Sequence, residues 1–347
     1  MRRRDFLGLG AGAIAGLAFA PPFAEAKLFI DSGGRKINVP DEVHRVFPAG
    51  PPASVTLLTV APDKMLGWSR APSPEARPFL PARYADLPEI GRLTGRGNTI
   101  NLENVARLAP DLVLDVGSTT AAYVSLADQV QEQTHIPAVL IGGRLAETPT
   151  TLRTIGDLLG VSSRAEALAG YAEAVLGRVQ GAITQIPPEG RPSIYVGRGP
   201  TGLETAAAGS IASEVVDLLG ARNVVGKDSA SRTIVEVSPE QLLAWQPDVI
   251  LAIDRRFHAA IRTDPVWRQL KAARAGSTHR VPALPFSWLD DPPAPNRLIG
   301  LLWLGKLLYP ALFPQDIRRE ARRFYALFYQ QEPSDTQLDG LFAVPPA

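Results

Sequence analysis

Ser163-Arg-Ala-Glu-Ala-Leu-Ala-Gly-Tyr-Ala-Glu-Ala-Val-Leu-Gly-Arg-Val-Gln-Gly-Ala-Ile-Thr-Gln-Ile186 carries apolar residues at Ala165, Leu168, Ala169, Ala172, Val175, Leu176, Val179, Ile183 and Ile186. Steps of three and four place them on one helical face. Ser163 and Glu166 read as a capping box and Pro187-Pro188 forbids continuation, so the spacing predicts a helix of 24 residues, roughly 36 Å long. A helix of that length reaches across two lobes as a strut.

Two similar stretches flank it. Asn101-Leu-Glu-Asn-Val-Ala-Arg-Leu-Ala-Pro-Asp-Leu-Val-Leu114 aligns without a gap on Ser238-Pro-Glu-Gln-Leu-Leu-Ala-Trp-Gln-Pro-Asp-Val-Ile-Leu251 at a constant offset of 137, with Glu, Pro and Asp coinciding. Each copy reads as a short helix capped by Asn101 or Ser238, a Pro-Asp stop and a buried parallel strand. Further strands are read near residues 46, 65–68 and 138–141 in the first half, and at 193–196 and 279–281 in the second. Helices are read at 210–219, 265–273 and 295–308, with an amphipathic packing helix at 315–329. The expected fold is α/β: two small parallel-sheet lobes, residues 27–160 and 189–332, joined by a single long helix within 161–188, with a ligand cleft between them. Residues 333–347, rich in proline and polar groups, read as a poorly ordered tail.

The chain begins Arg2-Arg3-Arg4-Asp5-Phe6-Leu7, continues with an uncharged, glycine-diluted stretch to Ala20, and reaches Ala24-Glu25-Ala26. That order is the order of a secretory signal, and the 14 apolar residues are too few to span a bilayer as a helix. The paired arginines resemble a twin-arginine signal, so residues 1–26 are expected to be a leader cleaved after Ala26, placing the mature protein in the periplasm. Residues 27–347 carry 33 charges of each sign, and the absence of any broad basic field argues against a nucleic-acid partner. No cysteine occurs among the 347 residues, which excludes disulfides, thiolate metal sites, thiol nucleophiles and a lipidated N-terminal cysteine.

Gly197-Arg-Gly-Pro-Thr-Gly202 follows a strand and satisfies G-x-G-x-x-G, but Pro200 and Gly209 delay the next helix, which removes the amide cradle a dinucleotide needs. The loop is read instead as carrying Arg198 to the mouth of a cleft. There is no phosphate loop, no G-x-S-x-G elbow and no paired-histidine helix, and His44, His135, His258 and His279 are scattered. Of Asp290 and Asp291, one is expected to face a cleft, since adjacent side chains diverge. The segment 285–300 is the most distinctive in the chain, with Trp288 in a loop after a strand, where ligand residues gather in parallel-sheet domains.

With its exported precursor, two βα lobes, connecting helix and the paired 101–114 and 238–251 motifs, the chain resembles a metal-chelate-type (class III) periplasmic substrate-binding protein of an ABC importer, over about residues 40 to 330. The resemblance implies a protein that captures a ferric siderophore, haem or cobalamin, or in some relatives an oxyanion such as molybdate, and delivers it to a permease in the inner membrane. It also implies that one glutamate per lobe, Glu103 and Glu240, docks on that permease. The expected ligand is an iron-siderophore-type chelate. The metal travels within the ligand, so the protein needs no cofactor, no resident metal and no catalytic residue, and is expected to act as a monomer. A rival reading is an exported cofactor-dependent enzyme on a similar fold. Loop positions at strand ends supply the candidate ligand contacts: Trp68, Arg70, Arg96 and Ser118 in the first lobe, and Tyr195, Arg198, Arg255, Trp288 and Asp290 in the second. Arginine forks suit carboxylate and catecholate oxygens, and tryptophan adds flat apolar area.

Overall fold

The computed structural model describes residues 26–95, 97–226 and 233–342. Arg96 and, apart from Ala26, the leader lie outside the described residues. The described chain opens on an antiparallel hairpin that the sequence reading missed, β1 (Ala26–Ile30) and β2 (Lys36–Pro40). Its turn folds around Asp31, whose Oδ1 accepts from the amides of Gly33 and Arg35 (2.9 and 3.0 Å). Oδ2 accepts from the Arg35 guanidinium (2.7 Å) and the Leu140 amide (3.1 Å), which pins the hairpin to the first lobe.

That lobe contains β3 (Val46–Pro48), α1 (Pro51–Val60), α2 (Ala82–Ala85), α3 (Leu102–Arg107), β4 (Leu112–Gly117), α4 (Ala121–Thr134), β5 (Ala138–Gly142) and α5 (Thr148–Leu158), around a parallel sheet in the order β3-β4-β5. Residues 65–68 do not make the expected strand; they touch the structure through single parallel bridges, Val46 to Met65 and Trp68 to Glu89. After α6 (Ser162–Ile183), the second lobe contains β6 (Ser193–Gly197), β7 (Glu204–Ala206), α7 (Glu214–Leu218), β8 (Arg222–Asn223), β9 (Ile234–Glu236), α8 (Pro239–Trp245), β10 (Val249–Ala252), α9 (Arg255–Ala260), α10 (Lys271–Arg274) and β11 (Thr278–Arg280). Its main sheet is parallel in the order β11-β10-β6-β8, and β7 and β9 form a separate antiparallel pair. Helices α11 (Arg297–Leu308), α12 (Ile317–Phe328) and α13 (Asp335–Phe342) complete the chain.

Several helices are shorter than their patterns suggest. Only 214–218 of 210–219 is helical, because the Asp217 carboxylate takes the Gly209 amide (2.8 Å) and the Ser213 hydroxyl (2.5 Å) and holds that stretch in turns. The strut α6 has 22 residues, and its expected capping box is absent: Glu166 is held by Arg153 (2.7 and 2.8 Å), and Ser162 bonds to Asp157 (2.6 Å). The tail reading is also corrected in part. Leu338 and Leu341 of α13 are buried, and Gln337 donates to the Pro78 carbonyl (2.9 Å) in the first lobe.

The internal repeat has a physical basis in both lobes. Asn101 caps α3 by accepting the Asn104 amide (2.8 Å), and Ser238 caps α8 in a full capping box with Gln241. The residue before each proline, Ala109 or Gln246, is left-handed (φ 45° and 42°), which turns the chain out of the helix. The aspartate that follows then closes the neighbouring strand. Asp111 accepts from the amides of His44 and Arg45 (both 2.8 Å) before β3, and Asp248 accepts from the amide and hydroxyl of Ser193 (2.8 and 2.6 Å) at the start of β6.

The lobes share one apolar core that runs through α6. A buried charge cluster sews them together beside it. Arg297 of α11 is 2% exposed and donates to Glu214 (2.5 Å), to the Ile211 carbonyl (3.0 Å) and, across the lobes, to the Gly143 carbonyl (2.6 Å). Glu214 in turn accepts from the Leu145 amide (2.9 Å) and pairs with Arg144 (2.7 Å), both of the first lobe. Removing one partner of a buried pair strands the other charge, so Glu214→Ala is expected to cost about 3–5 kcal/mol in urea denaturation, and Arg297→Met in the same chain to restore much of it. A loss near zero would refute the role of this cluster.

Asp115, inside β4, accepts from the Thr94 hydroxyl (3.1 Å) and the Val116 amide (3.0 Å), yet burial dominates and pushes its carboxyl up to about 6. The folded state therefore binds a proton that the unfolded chain has released between about pH 4 and pH 6, so the stability tied to this group is present at pH 4 and lost as pH rises through 6. Asp115→Asn keeps an acceptor for both bonds; it should raise stability at pH 7.5 by about 2 kcal/mol and flatten the pH 4 to 6 slope of the denaturation midpoint. An unchanged slope would contradict the assignment.

Candidate functional site

A cleft of about 370 Å³ opens between the lobes, walled by the start of α1 and residues 68–76 on one side and by Ile253 and residues 283–292 on the other. Its volume lies at the lower end of the roughly 300–1,000 Å³ range of small-molecule sites. Ser54 of α1 and Ser69 bind one another on the first-lobe wall, Ser54 Oγ donating to Ser69 Oγ (2.8 Å) and accepting from the Ser69 amide (3.1 Å). Trp68 forms part of the floor. Its Nε1 donates to the Tyr84 carbonyl (2.8 Å), and its ring lies 6.1 Å from Phe286 of the opposite wall. Arg70 stands at the mouth, and its Nη2 is 3.9 Å from Asp291 Oδ1 across the cleft.

The second-lobe wall owes its shape to Asn296, fully buried, whose amide nitrogen donates to the Ser287 carbonyl and to that of Pro292 (3.0 Å). Those bonds, with the Ser287 amide on the Asp291 carbonyl (3.1 Å), present Phe286, Ser287 and Asp291 to the cleft.

The candidates read from sequence separate accordingly. Trp68 and Arg70 line the cleft. Trp288 does not: it is fully buried, donates to the Tyr325 hydroxyl (3.1 Å) and packs edge-on to Phe342 (5.7 Å). Gly300 of α11 allows this, since a Cβ there would come within 1.7 Å of the Trp288 carbonyl oxygen. Tyr195 is likewise core. It lies in the middle of β6, not at its end, donates to the Gly202 carbonyl (2.6 Å) and packs on Trp267. The glycine loop turns straight into β7, with the Arg198 amide on the Glu204 carbonyl (2.8 Å), so Arg198 is not carried to the mouth. Its guanidinium pairs inside the second lobe with Asp290, which is 1% exposed at its side chain. Of the two adjacent aspartates, then, Asp291 faces the cleft and Asp290 does not. Ser118 bonds to Thr120 beyond β4, away from the lining (3.4 Å).

Arg255 begins α9 at the second lobe's surface. Hydrogen bonds from its own backbone and from Ser73 hold the Glu75 carboxyl below its usual range, and the charge of Arg255 adds to them. Ser54, Ser69, Phe286 and Ser287 were missed, and Asp291 takes the place given to Asp290. Phe286 and Ser287 lay within the segment already singled out, whereas nothing in the apolar pattern of α1 distinguishes Ser54.

Glu103 and Glu240 occupy equivalent first-turn positions on α3 and α8, both exposed. Glu103 pairs with Arg107 one turn on (2.8 Å), and the Ser238 hydroxyl with the local backbone holds the Glu240 carboxyl below its usual range. Among the described residues no helix is long and apolar enough to cross a membrane.

The arrangement of two lobes and a helix is shared with solved structures. An ABC transporter solute-binding protein from Sulfurospirillum deleyianum is 26% identical, with a TM-score of 0.83, covering 91% of this chain and 99% of its own. The molybdate periplasmic binding protein MolA of Haemophilus influenzae (20% identity, TM-score 0.73, 89% and 99% covered) and a protein of an ABC-type Fe3+-hydroxamate transport system from Saccharomonospora viridis (19%, 0.60, 83% and 99%) share the fold. No curated protein sequence matches. The model of the periplasmic binding protein family matches residues 72–283, which include the α6 strut and both copies of the repeat, and the chain belongs to that family, in its metal-chelate (class III) type.

Proposed function

We propose that this chain is an exported substrate-binding protein that captures an iron-siderophore-type metal chelate between its lobes and delivers it to an ABC transporter permease in the inner membrane. The observation that carries the reading is the cleft itself, which brings the part-buried phenyl ring of Phe286, backed by the buried indole of Trp68, together with the exposed guanidinium of Arg70. Flat apolar area with a cation at the rim suits a chelate whose anionic oxygens surround a metal. In this reading the protein acts by binding, as a monomer and without a cofactor. Twin-arginine export with cleavage after Ala26 is compatible with the fold, since removing Ala26 leaves four residues of β1 in place.

A second reading, a small oxyanion, is favoured by the four serines of the lining, Ser54, Ser69, Ser73 and Ser287. Tryptophan fluorescence separates the two. Ferric siderophores should quench emission, Trp68→Phe should remove most of the response, and Arg70→Ala should weaken binding about tenfold or more. Binding of molybdate alone would favour the oxyanion, and binding of neither class would overturn the capture reading.

Glu103 and Glu240 are proposed to dock on the permease. They lie away from the cleft lining, so the double variant Glu103→Ala, Glu240→Ala should keep its affinity for ligand while cellular uptake of labelled ligand falls sharply. Wild-type uptake would leave the two carboxylates as helix stabilisers, worth about 0.3–1 kcal/mol each.

A further inference from the structure

Charges of opposite sign face each other across the mouth of the cleft from different lobes. Arg70 and Asp291 are 59% and 51% exposed at their side chains, and both line the cleft. At 3.9 Å their contact is one of charge, not a directional hydrogen bond, so the five N–H donors of the Arg70 fork are largely unspent on Asp291. Asp291 is also tied to its neighbours. It directly follows Asp290, whose carboxylate is committed to the Arg198 guanidinium in the interior. The Asp291 side chain therefore sits beside a second acid on its own chain and opposite a cation on the other lobe.

We propose that Asp291 tempers the affinity of the cleft for anionic ligands, by competing with them for Arg70. The inference rests on the reading of the cleft as a chelate site. A ligand with its own carboxylate or catecholate oxygens replaces a loose 3.9 Å contact by a bidentate, charge-assisted one, and an exposed pair is weak enough to exchange. A neutral or cationic ligand has nothing to offer Arg70. Displacing Asp291 would leave that carboxylate beside Asp290 without its counter-charge, so such a ligand is held only by the aromatic floor or is drawn to Asp291 itself. The carboxylate thus holds back anionic ligands, which must outbid it for Arg70, and takes nothing from neutral or cationic ones.

The test uses the mature full-length chain and two ferric probes of opposite character: ferric citrate, an anionic carboxylate chelate, and ferrioxamine B, a hydroxamate chelate with a free ammonium. Affinities are read by tryptophan quenching in wild type, Asp291→Asn, Arg70→Ala and the double variant, with melting midpoints confirming the fold. Asp291→Asn should tighten ferric citrate about two- to fivefold and leave ferrioxamine B unchanged or weaker. The gain should shrink in the Arg70→Ala background and at high salt. An Asp291→Asn variant that binds both probes as wild type does would overturn the competition while leaving the chelate site standing. Wild type that binds neither probe nor any ferric siderophore would overturn both.

Discussion

A helix with one face that must be buried along its whole length by different partners holds this molecule together. Near its start, Ala165 of α6 lies against Gly156 of α5, where a Cβ would come within 2.2 Å of it; in its middle, Tyr171 meets Phe324 and Phe328 of α12 at 6.0 and 5.4 Å; at its end, Ile183 packs near Gly220 of the second lobe. Neither three- nor four-stranded sheet can cover both its faces alone, and parallel sheets are stable only when covered. The strut and the C-terminal helices supply that cover to both lobes at once.

That constraint fixes where the cleft can be. The lobes are joined by the α6 seam and by the Arg297 cluster, whose guanidinium reaches the Gly143 carbonyl, and the cleft opens between the loops at 68–76 and 283–292. Both walls are loops anchored from behind, one by the Trp68 indole on the Tyr84 carbonyl and the other by Asn296. Rigid loops on covered sheets are where binding groups are expected to be displayed. The charged groups that reach this opening are few, and Arg70 and Asp291 come from different lobes.

The sequence was legible wherever periodicity alone sets the structure. The strands at 112–115, 138–141, 193–196 and 249–253 are mainly apolar runs, and the strut at 163–186 was displaced by only one residue at its start and three at its end. The 137-residue repeat was legible because its polar identities have local tasks, such as the bonds of Asp111 and Asp248 to the backbone at or just before the start of a neighbouring strand. Less legible were the short polar hairpin β1-β2 and the Glu166 cap, where a partner far along the chain decides the outcome: Leu140 for Asp31 and Arg153 for Glu166.

The site divided along the same line. Sequence alone determined an α/β chain of two lobes and a strut, the segments that would form loops at strand ends, and the pairing of Glu103 with Glu240, because helix caps, Pro-Asp stops and apolar periods act over a few residues. Which side chains of those loops turn outward was decided only by tertiary packing. Trp288 is drawn inward by Tyr325 and by the space over Gly300, Asp290 by Arg198, and Tyr195 by Gly202 and Trp267, while Phe286 and Asp291, one or two positions away, are left at the cleft. A loop of fixed composition can present either of two adjacent residues, and only the partners waiting behind it select which.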